Sequence, residues 1–269
     1  MNLTDWQRLN IKNLAYDTMN LAKYHPKMDI WQTEHFVAVN SHLPSYNFNM
    51  ITPIASFAEA AKEQLLNTIE TFNKQQLPFN MWCYTHDIEL TNFLQKVGLT
   101  EYDTAYKAMV VQLDECLEKD VINQAIQIER VTSLEQLRKF IDVLTMIYEE
   151  TIEQQAIKQY YEQLSHIILQ KNISTHLYIG TYNGKVVATG ALTYNEQSVG
   201  MYHIATDPAY RGFGIASEVI RYLLNVAKQS SAVSCTLQAS PAAERIYESF
   251  GFQTIGYLKA YENKNMLND

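Results

Sequence analysis

The stretch Tyr202-His-Ile-Ala-Thr-Asp-Pro-Ala-Tyr-Arg-Gly-Phe-Gly-Ile-Ala-Ser217 decides the fold, because it passes from an apolar strand through a glycine-containing loop directly into a helix. Gly212, Gly214 and Ala216 are small enough to let the backbone approach an anion closely. The first turn of the helix adds unpaired N–H groups and the positive end of the helix dipole. Arg211 adds a side-chain cation. The pattern therefore predicts a binding site for a pyrophosphate.

Two familiar phosphate-binding loops fit this stretch less well. A P-loop needs a Lys-Ser/Thr pair after its last glycine, and this chain has Ile215-Ala216 at that place, which excludes it. The dinucleotide fingerprint needs a third glycine where Ser217 stands, and an acidic residue in a following βαβ unit. The sequence thus disfavours a nicotinamide or flavin cofactor.

The pattern Arg211-x-x-Gly214-x-Ala216 is instead similar to the loop with which the GNAT superfamily of N-acetyltransferases binds the pyrophosphate of acetyl-coenzyme A. A second block, Ser240-Pro-Ala-Ala-Glu-Arg-Ile-Tyr-Glu-Ser-Phe-Gly-Phe252, resembles the last helix and strand of that superfamily. The two blocks occur in the family's order and are separated by one predicted helix and one predicted strand. The resemblance covers about residues 126–262.

The resemblance also implies which residues contact coenzyme A. Tyr247 matches the tyrosine that faces the cofactor's sulfur, and as a general acid it would protonate the departing thiolate. A backbone N–H in the segment 204–206 would stabilise the oxyanion of the tetrahedral intermediate. Ser240 departs from the asparagine common in the family, which leaves its contact less certain. The implied cofactor-binding residues are Ile204, Ala205, Thr206, Arg211, Gly212, Phe213, Gly214, Ile215, Ala216, Ser217, Ser240, Ala243 and Tyr247.

The base that deprotonates the attacking ammonium is less well determined by the sequence. His203 titrates in the right range and lies on the strand before the loop. Strand alternation puts His203 and Ala205 on the face opposite Tyr202, without showing which face meets the amine. A histidine that is only packed or solvated, water chains, and Glu149 or Glu150 at a helix end remain open as alternatives.

Hydrophobic periodicity predicts an α/β (α+β) protein with a mixed, mostly antiparallel sheet flanked by helices, as in the GNAT fold. Asn183-Gly184 is a strong hairpin signal, and residues 41–56 are predicted to form a loop. The first half has predicted helices at 3–24, 57–75 and 87–97, and strands at 34–40, 79–84 and 106–113. The second half has strands at 126–131, 176–182, 185–194, 198–206, 232–238 and 252–261, with helices from 134, at 153–171, 215–229 and 241–250.

The two halves of the chain echo each other around Gly98 and Gly251, each of which follows an amphipathic helix. We therefore predict a tandem pair: a degenerate GNAT-like domain at 1–120 and a catalytic GNAT acetyltransferase domain at 121–269. The first copy has no phosphate loop before its helix at 57, and Leu94 stands where Tyr247 stands. We expect it to pack against the second copy and wall the substrate site, without binding coenzyme A. An accidental match is the alternative.

Composition supports a globular protein, and its acidity suits a cationic amine as partner, although solubility explains the charge equally well. A chain of 269 residues, 47% hydrophobic, can bury the core of one large or two medium domains. A net charge of −8 without Lys/Arg runs argues against nucleic acid or membrane as a partner. The start of the chain lacks the pattern of a signal peptide, so a cytoplasmic location is expected. Cys83, Cys116 and Cys235 are expected to be reduced core thiols, and no metal is expected.

The resemblance implies an acetyl-CoA-dependent N-acetyltransferase that moves an acetyl group to a primary amine of a small molecule by direct attack on the thioester. Amino acids, polyamines, aminoglycosides and protein amino termini are open as acceptors, and a homodimer is open as the assembly. The alternative is a catalytically inactive acyl-CoA-binding sensor or interaction module, against which the presence of Tyr247 argues. Transfer to a carrier or an aminoacyl-tRNA would require a basic groove, which the sequence does not indicate.

Overall fold

The computed structural model describes residues 1–118, 120–121, 123–148 and 150–263. Its strands are β1 (Asp29–Gln32), β2 (Phe36–Asn40), β3 (Met50–Pro53), β4 (Asn80–Tyr84), β5 (Leu99–Glu101), β6 (Tyr106–Gln112), β7 (Ile126–Arg130), β8 (Thr175–Tyr182), β9 (Lys185–Asn195), β10 (Ser198–Thr206), β11 (Ser234–Ala239) and β12 (Gln253–Asn263). Its helices are α1 (Leu3–Ala22), α2 (Glu59–Lys74), α3 (Ile88–Lys96), α4 (Leu134–Thr145), α5 (Ile152–Gln163), α6 (Ser165–Ile168), α7 (Ile215–Lys228) and α8 (Glu244–Glu248).

The described strands form one twelve-stranded sheet in the order β1-β2-β3-β4-β12-β6-β11-β10-β9-β8-β7, with β5 beside β12. Most neighbours are antiparallel, whereas β3 with β4 and β10 with β11 are parallel. Helices α1, α4, α5 and α6 cover one face of the sheet, which we call the front face, and α2, α3, α7 and α8 cover the back face. The predicted mixed, mostly antiparallel α/β fold is confirmed.

The two parallel pairs reveal an internal repeat. In each half a strand leads through a loop and a crossover helix to a parallel neighbour: β3–α2–β4 in the first half and β10–α7–β11 in the second. The next helix then ends before a glycine with positive φ, Gly98 at 89° and Gly251 at 92°. Left-handed backbone at this position favours glycine, which explains the sequence echo between the halves.

The two halves exchange strands in the middle of the sheet. β6, from the first half, lies between β11 and β12 of the second half and pairs with both. The first part of β12 pairs with β6, and its last part pairs with β4 and β5 of the first half. The sheet therefore runs without interruption across the predicted boundary near residue 120.

Helix α1 lies across the front face of the sheet. It contacts the sheet through a row of its own polar side chains, which we call the polar stripe (Asn10, Asn13, Asp17 and Asn20). These positions recur every three or four residues and so share one helical face. Their partners on the sheet are the carbonyls of Met109 and Leu237 for Asn10, the hydroxyls of Ser198 and Thr236 for Asn13, the hydroxyl of Thr193 for Asp17, and the hydroxyl of Thr175 for Asn20. Most of these partners belong to the second half, so α1 joins the two halves.

Several sequence-based boundaries were wrong, mainly where elements are short. The predicted loop 41–56 contains β3, whose four residues complete the parallel pair of the first half. β1 and β5 were not predicted either, because strands of three or four residues depend on their neighbours more than on local propensity. The predicted helix 153–171 is divided into α5 and α6, and the helix predicted at 241–250 is limited to Glu244–Glu248.

Cys83, Cys116 and Cys235 are buried free thiols, as predicted. Among the described helices, none has both the length and the apolar character needed to cross a membrane.

Candidate functional site

The site begins where β10 and β11 diverge. These parallel strands pair only between residues 198–200 and 234–236, although β10 continues to Thr206 and β11 to Ala239. Their later parts no longer hydrogen bond to each other, and a gap opens between them. The gap leads towards the start of α7 on the back face.

A β-bulge in β10 changes which side chains face the front. The register with β9 shifts between Tyr202 and Ala205, and His203 adopts a left-handed φ of 54°. The His203 carbonyl accepts a hydrogen bond from the Thr189 hydroxyl at 2.7 Å. Tyr202 and His203 consequently line the same cavity, so the predicted alternation, with these two side chains on opposite faces, was wrong.

The loop after β10 presents an open helix N-terminus. The Asp207 side chain accepts a hydrogen bond from the Ala209 N–H at 3.0 Å and fixes the first turn of the loop. Gly214 precedes α7 with φ 73° and ψ 4°, and no side chain of the described residues caps this helix. A Cβ added to Gly212 would meet no heavy atom within 4 Å, so the loop backbone is accessible. Backbone N–H groups of the first turn are thus available to an anion.

The predicted loop residues are brought together but are not equivalent. Ile215 is buried in the core, so only its backbone can reach a ligand. Phe213 is 54% exposed, and the exposed Arg211 side chain contacts the Thr206 carbonyl at 3.4 Å through Nε. Ala216 and Ser217 are half-buried at the helix start, and Ile204, Ala205 and Thr206 are half-buried on β10.

The segment that joins the two halves holds this loop in place, which the sequence did not indicate. Asn123 donates from Nδ2 to the Phe213 carbonyl at 3.0 Å and from its backbone N–H to Glu218 Oε1 at 3.2 Å. Glu218 is buried in α7 and also accepts from Arg221 at 2.7 Å. Asn123 therefore ties the end of the loop to the first turn of α7.

On the other side of the gap, α8 carries the predicted acid. Ser240 directly follows β11, and its carbonyl accepts from the Ala243 N–H at 2.8 Å, which turns the chain into α8. Tyr247 is buried, with its ring 5.7 Å from that of Phe252 in an edge contact. Burial raises the pKa of Tyr247, so the phenol is protonated at neutral pH and releases its proton less readily than an ordinary phenol.

A cavity of about 200 Å³ lies on the front face beneath the bulge, and we call it the front cavity. α1, α5, β10 and the loop before β3 form most of its wall. Its lining residues are Leu14, Asp17, Thr18, Leu21, Asn47, Phe48, Met50, Leu144, Tyr148, Ile157, Tyr160, Tyr161, Thr175, Tyr202 and His203. The cavity thus combines residues of both halves.

His203, the candidate base, lies in this cavity with its Nε2 3.2 Å from the Tyr161 hydroxyl. Burial lowers the pKa of His203 to about 4. The imidazole is therefore neutral at pH 7, and it is a weak acceptor for the proton of an alkylammonium.

Asp17 is the acidic group of the front cavity, and the sequence analysis did not single it out. Burial raises the pKa of its carboxyl group to about 7, and the opposing effect of the Thr193 hydroxyl, which donates to Oδ1, is smaller. Nearby, the buried Tyr202 hydroxyl has no hydrogen-bond partner among the described residues. The only sequence signal for Asp17 is its place in the polar stripe.

The raised pKa of Asp17 predicts a pH-dependent stability. A carboxyl group that binds its proton more tightly in the folded state destabilises the fold as pH rises from about 4 through about 7. The difference between a pKa of 3.8 and about 7 corresponds to at most about 4 kcal/mol. We expect Asp17→Asn to stabilise the protein at pH 8 and progressively less towards pH 4, measured by denaturant unfolding across this range. A pH-independent change in the free energy of unfolding would contradict it.

A larger cavity of about 580 Å³ lies over β4 and β12 and shares Asn47 and Tyr148 with the front cavity. Its wall combines aromatic rings, among them Trp82 and Tyr106, with three carboxyl groups: Glu150, Glu153 and Glu262. Burial raises the pKa of Glu262, and the charge of Glu153 raises it further. Of the acidic alternatives considered for the base, Glu150 lies here, and Glu149 lies outside the described residues.

Comparison with known proteins shows a family resemblance in the second half of the chain. Residues 148–265 match the family model of the acetyltransferase (GNAT) domain. N-acetylaspartate synthetase from Xenopus tropicalis is 32% identical over 108 residues, which span 38% of this chain and 37% of that protein. The sequence likeness to this synthetase is thus confined to little more than a third of either chain.

Two solved structures resemble the whole chain. A GCN5-related N-acetyltransferase from Kribbella flavida superposes with a TM-score of 0.71 at 14% identity and covers 95% of both chains. A tandem GNAT protein from the clavulanic acid biosynthesis pathway superposes with a TM-score of 0.59 at 9% identity and covers 94% of both chains. At these identities the likeness supports the fold, including its tandem arrangement.

Proposed function

We propose that the protein is an acetyl-CoA-dependent N-acetyltransferase, because residues 148–265 match the acetyltransferase (GNAT) family model and the chain has the fold of a GCN5-related N-acetyltransferase. It would transfer the acetyl group to a primary amine of a small molecule. The observation that carries the proposal is the uncapped N-terminus of α7, behind the left-handed Gly214 and beside the gap between β10 and β11. This arrangement suits a pyrophosphate at the helix and an extended chain between the strands.

The residues around the gap suit the three needs of acetyl transfer. The loop 211–217 would hold the pyrophosphate, chiefly through backbone N–H groups. A backbone N–H at the bulge, within 204–206, would stabilise the oxyanion that forms when the amine attacks the thioester carbonyl. Tyr247 would give its proton to the thiolate as the C–S bond breaks. Ser240 and Ala243 would line the opposite side of the gap.

We propose that the first half, residues 1–120, supports the site without binding coenzyme A. Its loop between β3 and α2, residues 54–58, contains no glycine, and Ala58 precedes α2 in extended backbone. A Cβ on every residue limits how closely a phosphate could approach this backbone. The first half would act through α1 and β6, which pack against the second half.

The acceptor is proposed at the level of a class. The relative from Xenopus tropicalis is named for N-acetylaspartate, so an amino acid stands beside other small amines as a candidate. Calorimetry with acetyl-CoA, followed by thiol release with a panel of amino acids, polyamines and arylalkylamines, tests donor and acceptor together. Binding with turnover supports the proposal. Binding without turnover on any amine would favour an acyl-CoA sensor, and no binding would reject the loop assignment.

We expect Tyr247→Phe to lower the rate of acetyl transfer by about 10²-fold or more, because general acids contribute about 10²–10⁴-fold. Its affinity for acetyl-CoA should remain nearly unchanged, since the ring still fills its place in the core. Thiol release and calorimetry measure the two quantities. Tyr194→Phe removes a partly buried phenol that packs against the same core and serves as the control. Equal rates for the two variants would show that Tyr247 only packs.

A further inference from the structure

We propose that Asp17, on the amino-terminal helix α1, binds the ammonium group of the acceptor and takes its proton. We further propose that the front cavity selects a primary amine with an apolar or aromatic body and no carboxylate. The inference rests on the proposed acetyl transfer and deepens it. It places a catalytic group outside residues 148–265, the segment that matches the acetyltransferase family.

Asp17 lies in the cavity next to the bulge of β10. Asp17 and His203 line the same cavity, and His203 is the bulged residue of β10. The bulge is where the proposed function requires the thioester carbonyl to bind. An amine whose ammonium meets Asp17 would therefore approach the carbonyl from the front face, while coenzyme A occupies the gap from the back face.

The carboxylate of Asp17 has no cationic partner among the described residues that surround it. The groups that face Asp17 are the Thr193 hydroxyl on β9, the phenols of Tyr160 and Tyr161 on α5, and that of Tyr202 on β10, while His203 lines the same cavity. None of them is a cation at neutral pH, since His203 has a pKa of about 4. Thr193 is the hydrogen-bond partner that the described residues give the carboxylate. A buried carboxylate without a cationic partner is costly, and an ammonium group would compensate it.

Proton affinity supports the same role. A carboxyl group with a pKa of about 7 is ionised in part at neutral pH, yet it holds a proton more tightly than an ordinary aspartate. A general base is most effective when its pKa lies near the working pH. Asp17 meets this condition better than His203.

The apolar wall defines the rest of the acceptor. Leu14, Leu21, Ile157, Phe48 and Tyr160 form much of the front cavity, and no lysine or arginine is among its described lining residues. A carboxylate on the acceptor would therefore lie near Asp17 without a cation to balance it. An arylalkylamine or a short alkylamine fits this chemistry, and an acidic amino acid does not.

Each proton and bond of the transfer is accounted for by Asp17, Tyr247 and solvent. The ammonium gives one proton to Asp17, and the neutral nitrogen forms a C–N bond with the thioester carbon. The tetrahedral intermediate collapses with cleavage of the C–S bond, and the thiolate takes a proton from Tyr247. The nitrogen loses its second proton, which restores the phenol, and Asp17 releases its proton to solvent.

The test compares wild type with Asp17→Asn, using 2-phenylethylamine and aspartate as acceptors. Asparagine keeps an acceptor for the Thr193 hydroxyl but cannot take the proton. We expect wild type to prefer 2-phenylethylamine, with kcat/KM rising through a midpoint near pH 7. We expect the variant to lose about 10²-fold or more in kcat/KM at pH 7.5 and to lose that acidic limb. Its affinity for acetyl-CoA should be unchanged.

Two further results separate this inference from a structural role and from the proposed function. Thr193→Val removes the hydrogen bond but keeps the carboxylate, so it should retain turnover and shift the midpoint to higher pH. The inference is wrong if Asp17→Asn keeps kcat/KM within twofold with the same pH profile, or if aspartate is the better acceptor. Either result would still support the proposed acetyl transfer. If wild type binds acetyl-CoA but acetylates no amine in the full panel, both the inference about Asp17 and the proposed acetyl transfer are wrong.

Discussion

A fragment of residues 121–269 is expected to lack a stable fold, although it contains the whole segment that matches the acetyltransferase family. The fragment lacks β6, which lies between β11 and β12 and hydrogen bonds to both. It also lacks α1, whose polar stripe covers Ser198, Thr236 and Thr193 on the front face. Without β6, nothing would join β11 to β12, and the remaining sheet would be divided between these two strands.

The burial of β6 alone indicates how much stabilising free energy the fragment would lose. Met109, Val110 and Val111 are each at most 5% exposed, and burying such a side chain stabilises a protein by about 1.5–3 kcal/mol. Three of them approach the net stability of a domain, about 5–15 kcal/mol. The unpaired edges of β11 and β12 would also promote aggregation.

Circular dichroism and denaturant unfolding of the fragment measure this directly. Mixing it with residues 1–120 should restore a cooperative transition, because the second piece supplies α1 and β6. A full-length chain cut once within 114–125 is the matched control, since it retains every strand. Cooperative unfolding of residues 121–269 alone would show that the halves are independent domains.

The sequence predicted the carboxyl-terminal half of the fold well because its signals there are local. The hairpin at Asn183-Gly184, the largely buried apolar runs of β8 and β9, and the glycines before α7 each specify their own backbone. The strand exchange of β6 and β12 has no local signal, because any central strand between two neighbours has the same pattern. The short strand β3 was missed for the same reason: its pairing with β2 and β4 defines it.

The candidate site divides in a similar way. Gly214 and Tyr247 could be proposed from the sequence because each lies within a short, recognisable block. Asp17 could not, since its partner Thr193 is 176 residues away in the chain. The bulge at His203 was also missed, because strand alternation assumes a regular ladder and one left-handed residue breaks it. Local patterns thus indicate candidate residues for the donor side, whereas the candidates for the acceptor side become visible only in the fold.

We expect Gly214→Val to abolish measurable binding of acetyl-CoA, a loss of at least about 10²-fold. Gly214 has a φ of 73°, and a left-handed backbone costs a residue with a side chain about 1–2 kcal/mol. A β-branched residue there would turn the loop away from this conformation or place methyl groups where the backbone must meet the pyrophosphate. Calorimetry with acetyl-CoA measures the loss.

Gly184→Val separates the binding defect from general strain. Gly184 has a φ of 80° and open space around its Cβ position, but it lies in the β8–β9 hairpin. The same substitution should lower the free energy of unfolding by a similar amount there and leave acetyl-CoA affinity intact. If Gly214→Val binds acetyl-CoA as tightly as Gly184→Val, the pyrophosphate does not bind at α7. The donor site would then have to be sought elsewhere along the gap between β10 and β11.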